Sequence, residues 1–204
     1  NTDTDFTSIH RGGVSRILLR GDTMVLPAAS KRGGSKIQIV DIWRWKHGAR
    51  TKYFDTTVFF FDFRGELLET LDYRNTSVFC ARAATHSGDM MTLSELMGKH
   101  VINIDLAKLN KVKSMYVVLS SFQNTTLSQI RFPEVSLHDR NTSTQMCEYT
   151  LSNVSTKQLQ EHSSVLMCRV FRDTSRSSWR VEALGRLGHG DALDYDPILE
   201  MIKK

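Results

Sequence analysis

Lys113-Ser114-Met115-Tyr116-Val117-Val118-Leu119-Ser120-Ser121-Phe122 is the stretch on which the fold turns. Its centre is apolar in succession and β-branched at Val117 and Val118, it contains no Gly or Pro, and its length is that of a strand. A buried, central strand is the expectation, with Val118 in the core.

Toward the N-terminus the same signals recur at short intervals. Val101–Leu106 reads as a strand followed by a helical turn over 107–110, and Thr85-His86-Ser87-Gly88-Asp89 as a polar turn after a strand at Ser77–Ala83. Thr57–Phe63, the Arg64-Gly65 turn and Leu67-Leu68 form a hairpin pattern. Lys36–Trp45 alternates polar and apolar with period two, which sends Ile37, Ile39, Trp43 and Trp45 to one side. The register across Val40 and Asp41 is open, and a bulge there is one solution. Pro27–Ser35 is a loop with a Gly-Gly pair; Val14–Leu19 and Thr23–Leu26 are short β-like runs.

Toward the C-terminus, Ile130–His138 carries Pro133, a mark of an edge strand or a bulge. Met146–Leu151, Ser164–Arg172 and Ser178–Leu184 continue the series. Gly185, Gly188 and Gly190 open a loop, and Tyr195–Lys203, with Pro197 near its start, reads as a helix. About ten short strands without βαβ spacing predict an all-β fold, a β-sandwich with short helical segments. One domain over 13–204 follows, with a flexible segment over 1–12.

Composition narrows the functional classes. With 40% hydrophobic and 24% charged residues the chain is neither disordered nor membrane-spanning, and no apolar stretch reaches the roughly 20 residues of a membrane helix. No signal-peptide pattern is visible, so a cytoplasmic location is expected. Cys80, Cys147 and Cys168 lack CxxC spacing and are expected as buried, reduced thiols. The net charge of +5 is uneven, because residues 1–52 hold ten Lys or Arg against four Asp. Trp43, Trp45 and Tyr53 are interleaved there with Arg44, Lys46, Arg50 and Lys52, a pattern that suits single-stranded nucleic acid or an anionic membrane surface. The plainer reading sends the aromatics to the core and the cations to water.

Catalytic signatures are missing from the sequence. The seven histidines, at 10, 47, 86, 100, 138, 162 and 189, show no i, i+4 ligand pairing, and no GxSxG, P-loop or HExxH occurs. Asp89, in the turn after a strand, is a sensible oxygen ligand, and Asp55 is a second one if the fold brings it near. Two carboxylates fall short of the six to eight oxygens calcium takes.

The segments nevertheless follow one another in a known order. Gly13-Val14-Ser15, Trp43 with Trp45, Phe54-Asp55-Thr56-Thr57-Val58-Phe59, His86-Ser87-Gly88-Asp89, Ile104-Asp105-Leu106, Tyr149-Thr150-Leu151 and Trp179-Arg180-Val181-Glu182-Ala183-Leu184-Gly185 together resemble the TerD domain of tellurium-resistance and stress-response proteins. The resemblance implies a β-sandwich whose acidic loops hold calcium, without catalysis by the domain itself. Only Asp55 and Asp89 match its acidic positions. Tyr53 stands in place of an aspartate, Met90 in place of an asparagine, and an acidic Gly-Asp-Asp-Glu stretch is reduced to Glu95. The expectation is therefore a non-enzymatic binding or scaffold domain that acts through a protein partner, as in a subunit of a larger assembly, with a degenerate, weak calcium site. The alternatives are a functional calcium-binding stress protein and a basic-surface module for nucleic acid or anionic membranes.

Overall fold

The computed structural model describes residues 15–26, 36–45, 51–122, 125–175 and 178–204. In chain order the strands among them are β1 Arg16–Ile17, β2 Thr23–Val25, β3 Lys36–Trp45, β4 Phe54–Phe61, β5 Leu67–Leu71, β6 Ser77–Val78 and β7 Ala84–His86. They continue with β8 Met90–Thr92, β9 Met97–Asp105, β10 Ser114–Ser121, β11 Ile130–Asp139, β12 Thr144–Thr150, β13 Ser164–Asp173 and β14 Ser178–Gly188. Two α-helices join them, α1 Thr156–Glu161 and α2 Asp196–Lys203. The strands form two sheets, one ordered β1-β12-β11-β3-β9-β7-β6 with β8 beside β9, the other β2-β14-β13-β10-β4-β5. Only the β1–β12 pair is parallel among the described residues. The architecture is a β-sandwich.

β10 lies between β4 and β13, as a central strand should. Its apolar run and that of β4 reflect cover on both faces. Phe54, Val58 and Phe60 of β4 pack with Ile37, Ile39 and Trp43 of the opposite sheet. Phe59 and Phe61, on the other face, meet Val118, Leu166 and Ile198 in a second cluster under α2. Val118 is buried in that outer layer. All eight residues of β4 are buried, so no polar parity marks the strand in the sequence.

Several expectations need correction. The strands number fourteen among the described residues, and the three-residue pieces β7 and β8 carry too little periodicity to be seen, β7 running into the stretch expected as a polar turn. β3 has no bulge at Val40–Asp41; its register on β9 is continuous. The irregularity sits opposite, where β11 shifts register between Arg131 and Glu134 around Pro133, with Phe132 at φ 46°. Extended pairing stops at Val78 because Cys80–Arg82 makes a 3₁₀ turn, with Ala81 and Arg82 at positive φ, and this turn leaves Cys80 exposed while Cys147 and Cys168 are buried. β14 runs through to Gly188 rather than opening at Gly185. Gly185, at φ +54°, is needed there: a Cβ would meet the Tyr149 hydroxyl, so two of the segments that carried the resemblance touch at this glycine. α1 begins in a capping box, Ser155 with Gln158, a signal legible in the sequence. The segments 1–12 and 27–35 lie outside the described residues.

Candidate functional site

β3 keeps period two throughout, so the residue in phase with Ile37, Ile39, Trp43 and Trp45 is Asp41. Its carboxyl group points between the sheets and is fully buried. His100 is its cross-strand partner on β9, also fully buried. Thr56 reaches them from the opposite sheet: its Oγ1 lies 3.0 Å from Asp41 Oδ2 and 2.9 Å from His100 Nδ1. Burial pushes Asp41 up to about 8, against the hydrogen bond from Thr56, which lowers it. In that bond the Thr56 hydroxyl is the donor and Asp41 Oδ2 the acceptor.

The Thr56 N–H also donates to His100 Nδ1 at 3.2 Å, so the ring proton is on Nε2, which donates to Asp89 Oδ1 at 2.8 Å. That bond holds Asp89 below the usual carboxylate range. His86 packs beside this ring with centroids 4.6 Å apart. The Gly88 N–H donates to its Nδ1, and its Nε2 donates to the Thr56 carbonyl at 3.0 Å. Burial, then the neighbouring His100, pushes His86 down to about 4, so this imidazole is neutral at physiological pH. All four imidazole nitrogens have partners.

Asp55 alternates with Thr56 and turns to the other side of β4. Its Oδ2 accepts from Thr57 Oγ1 at 3.2 Å, and its Oδ1 is buried without a partner. Burial pushes Asp55 up to about 7, with Asp72 and Asp89 adding to the rise. Thr57 Oγ1 also lies 3.2 Å from the Tyr195 hydroxyl, which donates to Asp72 Oδ2 at 2.8 Å. Burial raises Asp72, but the N–H groups of Asn75 and Arg74, the Tyr195 hydroxyl and the Arg74 guanidinium outweigh it and hold it low.

The fold therefore brings Asp55 and Asp89 to one place, although 33 residues separate them. Both line a cavity of about 290 Å³ with Tyr53, Phe54, Tyr73 and Phe122. Asp55, His86 and His100 bring ligand-capable atoms within 4.8 Å of one another. Asp41, Thr56 and His100 escaped the sequence reading. The available signal was Asp41 itself, a carboxylate at an apolar parity of an alternating strand. Trp43 and Trp45 are buried in the core, as the plainer reading has them, and Trp43 Nε1 donates to the Lys52 carbonyl at 3.0 Å, so neither indole is available to stack on a base. Arg44 and Lys52 are half-buried, while Lys46 and Arg50 lie outside the described residues.

Two sheets packed as a sandwich, with Asp55 and Asp89 lining one cavity and two imidazoles close to Asp55, define a β-sandwich domain with a candidate ligand site at the start of β4. The TerD domain profile matches residues 15–194. The chain belongs to the TerD domain family. A homologue of the telluride-resistance protein TerD from Streptomyces coelicolor A3(2) has a similar fold, with a TM-score of 0.58 and 9% identity over 79% of this chain and 94% of that one. No curated protein sequence matches the chain.

The residues present do not fit the calcium that the resemblance implies. Calcium takes oxygen donors, several of them anionic. The groups clustered with Asp55 are two imidazoles, Asp89 is engaged by His100, and Asp72 by Tyr195 and Arg74. Nitrogen donors suit zinc or other transition metals, yet each imidazole nitrogen would have to give up a hydrogen bond to serve.

Proposed function

We propose that the chain is a non-enzymatic TerD-domain binding module of the stress-response or tellurium-resistance kind, acting through a protein partner and with its calcium site degenerate. One observation carries this reading. The groups best suited to metal or proton chemistry, His86, His100 and Asp89, hold one another and the two sheets in place through hydrogen bonds, with Thr56 at the centre. A residue serving as general base or metal ligand needs a lone pair turned to the substrate or ion; those of His86 and His100 are turned inward. In this reading the polar cluster fixes the geometry of the sandwich, and recognition falls to the surface around it.

Isothermal titration with calcium tests the degenerate site. Asp55 and Asp89 supply at most four carboxylate oxygens, so the dissociation constant is expected at roughly 10⁻⁴ to 10⁻³ M or weaker. The double variant Asp55→Asn with Asp89→Asn should lose even this weak binding. Micromolar binding that disappears in the double variant would restore the calcium-dependent alternative.

A further inference from the structure

The cavity at the start of β4 has an unusual lining for a polar site. Four of its six lining residues, Tyr53, Phe54, Tyr73 and Phe122, are aromatic, and the other two are Asp55 and Asp89. Tyr73 and Phe122 stand at right angles, with centroids 5.6 Å apart and planes at 89°. The Phe122 N–H donates to the Tyr53 carbonyl at 3.2 Å, which ties together two lining residues, and Tyr53 is half-exposed. Asp55 is only 3% exposed, and its Oδ1 has no hydrogen-bond partner. Asp89 spends Oδ1 on His100, but its side chain remains 47% exposed.

We propose that this cavity recognises a small organic cation of the methylated-ammonium class, its head against the rings of Tyr53, Tyr73 and Phe122 and its charge countered by Asp55 and Asp89. The proposal rests on the reading of the domain as a binding module and names the ligand class of its pocket. Each part of the lining selects for that class. Aromatic faces carry negative quadrupole potential and attract weakly hydrated cations, with no lone pair to offer a strongly hydrated metal ion. The carboxylates select against a neutral apolar guest, because a buried carboxylate oxygen without a partner is costly and a cation relieves it. The volume sits at the lower bound of small-molecule sites, roughly 300 Å³, which suits a compact head rather than an extended ligand. Tyr73 already engages a cation on the chain's own account: the Arg74 guanidinium lies 5.3 Å from its ring centroid. That charge is matched by Asp72 at 3.2 Å, which leaves Asp55 and Asp89 to the guest.

Choline chloride and its neutral carbon isostere, 3,3-dimethyl-1-butanol, test the site by nuclear magnetic resonance titration of the full chain. Choline is expected to bind saturably, shifting ring resonances of Tyr73 and Phe122, and the isostere to bind about tenfold more weakly. Tyr53→Ala, which trims a half-exposed ring and spares the core, should weaken choline about fivefold. Asp55→Asn should weaken it by a similar factor or more, at an unchanged one-dimensional fold signature. Phosphatidylcholine vesicles identify the source: sedimentation beyond that with phosphatidylglycerol vesicles assigns a lipid headgroup, and binding of free choline without it assigns a soluble amine. Equal binding of choline and isostere, indifference to Tyr53→Ala, or no saturable shift overturns the proposal. Absence of choline binding alongside weak calcium binding removes only this site. Micromolar calcium binding removes the degenerate-site reading and this site with it.

Discussion

The space between the two sheets is filled in two ways by neighbouring strands. Along β10 the inward side chains are Met115, Val117 and Leu119, hydrocarbon and thioether throughout. Across β3, β4 and β9 the same layer holds Asp41, Thr56 and His100, all fully buried. The first region is stabilised by area removed from water, about 1.5–3 kcal/mol for each large side chain, and tolerates small shifts of neighbours. The second depends on partnering: each buried polar group left without a bond costs about 1–3 kcal/mol, more if it is charged. One region is robust because its interactions have no direction; the other specifies how the sheets sit because its interactions do.

Placing a charge in an apolar region should produce the largest effect. Val118→Asp puts a carboxylate among Phe59, Leu166 and Ile198 with no cation in that cluster. The penalty of several kcal/mol is a large part of the 5–15 kcal/mol that holds a typical domain together. Loss of the cooperative thermal transition and of near-ultraviolet circular dichroism is the expected result. A soluble Val118→Asp variant with a native-like transition would show that the layer under α2 is loosely packed and would erase the contrast.

The two regions were also unequally legible. Apolar runs announce themselves, so β10, β13 and the hairpin of β4 and β5 follow from residue type alone. Asp41 misleads because alternation is normally read as polar outward; its side chain breaks the expected chemistry while keeping the period, and a bulge was the natural but mistaken remedy. His100 carries no local signal, being one histidine of seven. Its role arises only when β9 lies beside β3 and β4 crosses from the other sheet. Asp55 and Asp89 were marked as candidates by the turn and by the resemblance, but their meeting depends on the order of the strands. The aromatic cavity was unreadable for the same reason, since Tyr53, Tyr73 and Phe122 come from separate segments.

A paired exchange on one face of β4 probes the contrast at intermediate size. Thr56→Val keeps shape but removes the hydroxyl that links Asp41 to His100, and should cost about 1–3 kcal/mol. Val58→Thr, two residues along the same face, adds a hydroxyl to the apolar part and should cost a similar amount for the opposite reason. Each should lower the thermal midpoint by about 2–4 °C per kcal/mol for a chain of this size. If Thr56→Val stabilises the protein, the polar bridge is a burden and the specificity argument for it fails.

The smallest expected effect concerns the charge state of the bridge. Asp41 is raised by burial to about 8 and Asp55 to about 7, both far above the ordinary value of 3.8. A raised carboxyl contributes its stabilisation fully below the unfolded value and loses it as pH rises to the folded one, at about 1.4 kcal/mol per pH unit and proton. His86, lowered to about 4, works the other way between 4 and 6.5, where the unfolded chain binds the extra proton. Its contribution offsets one of the two carboxyl groups in that range and ends near 6.5. Asp72 and Asp89, held low, matter only as pH falls toward and below about 4. Between pH 7 and 8 the main native proton at stake among these groups is therefore that of Asp41. Stability should fall there by roughly 1 kcal/mol in the wild type. Asp41→Asn keeps a carbonyl for Thr56 and has no proton to lose, so its thermal midpoint should be nearly flat over the same interval. Differential scanning calorimetry at half-unit steps from pH 5 to 9 makes the comparison. An Asp41→Asn profile that declines between 7 and 8 as steeply as the wild type would mean that Asp41 is already ionised in the folded protein.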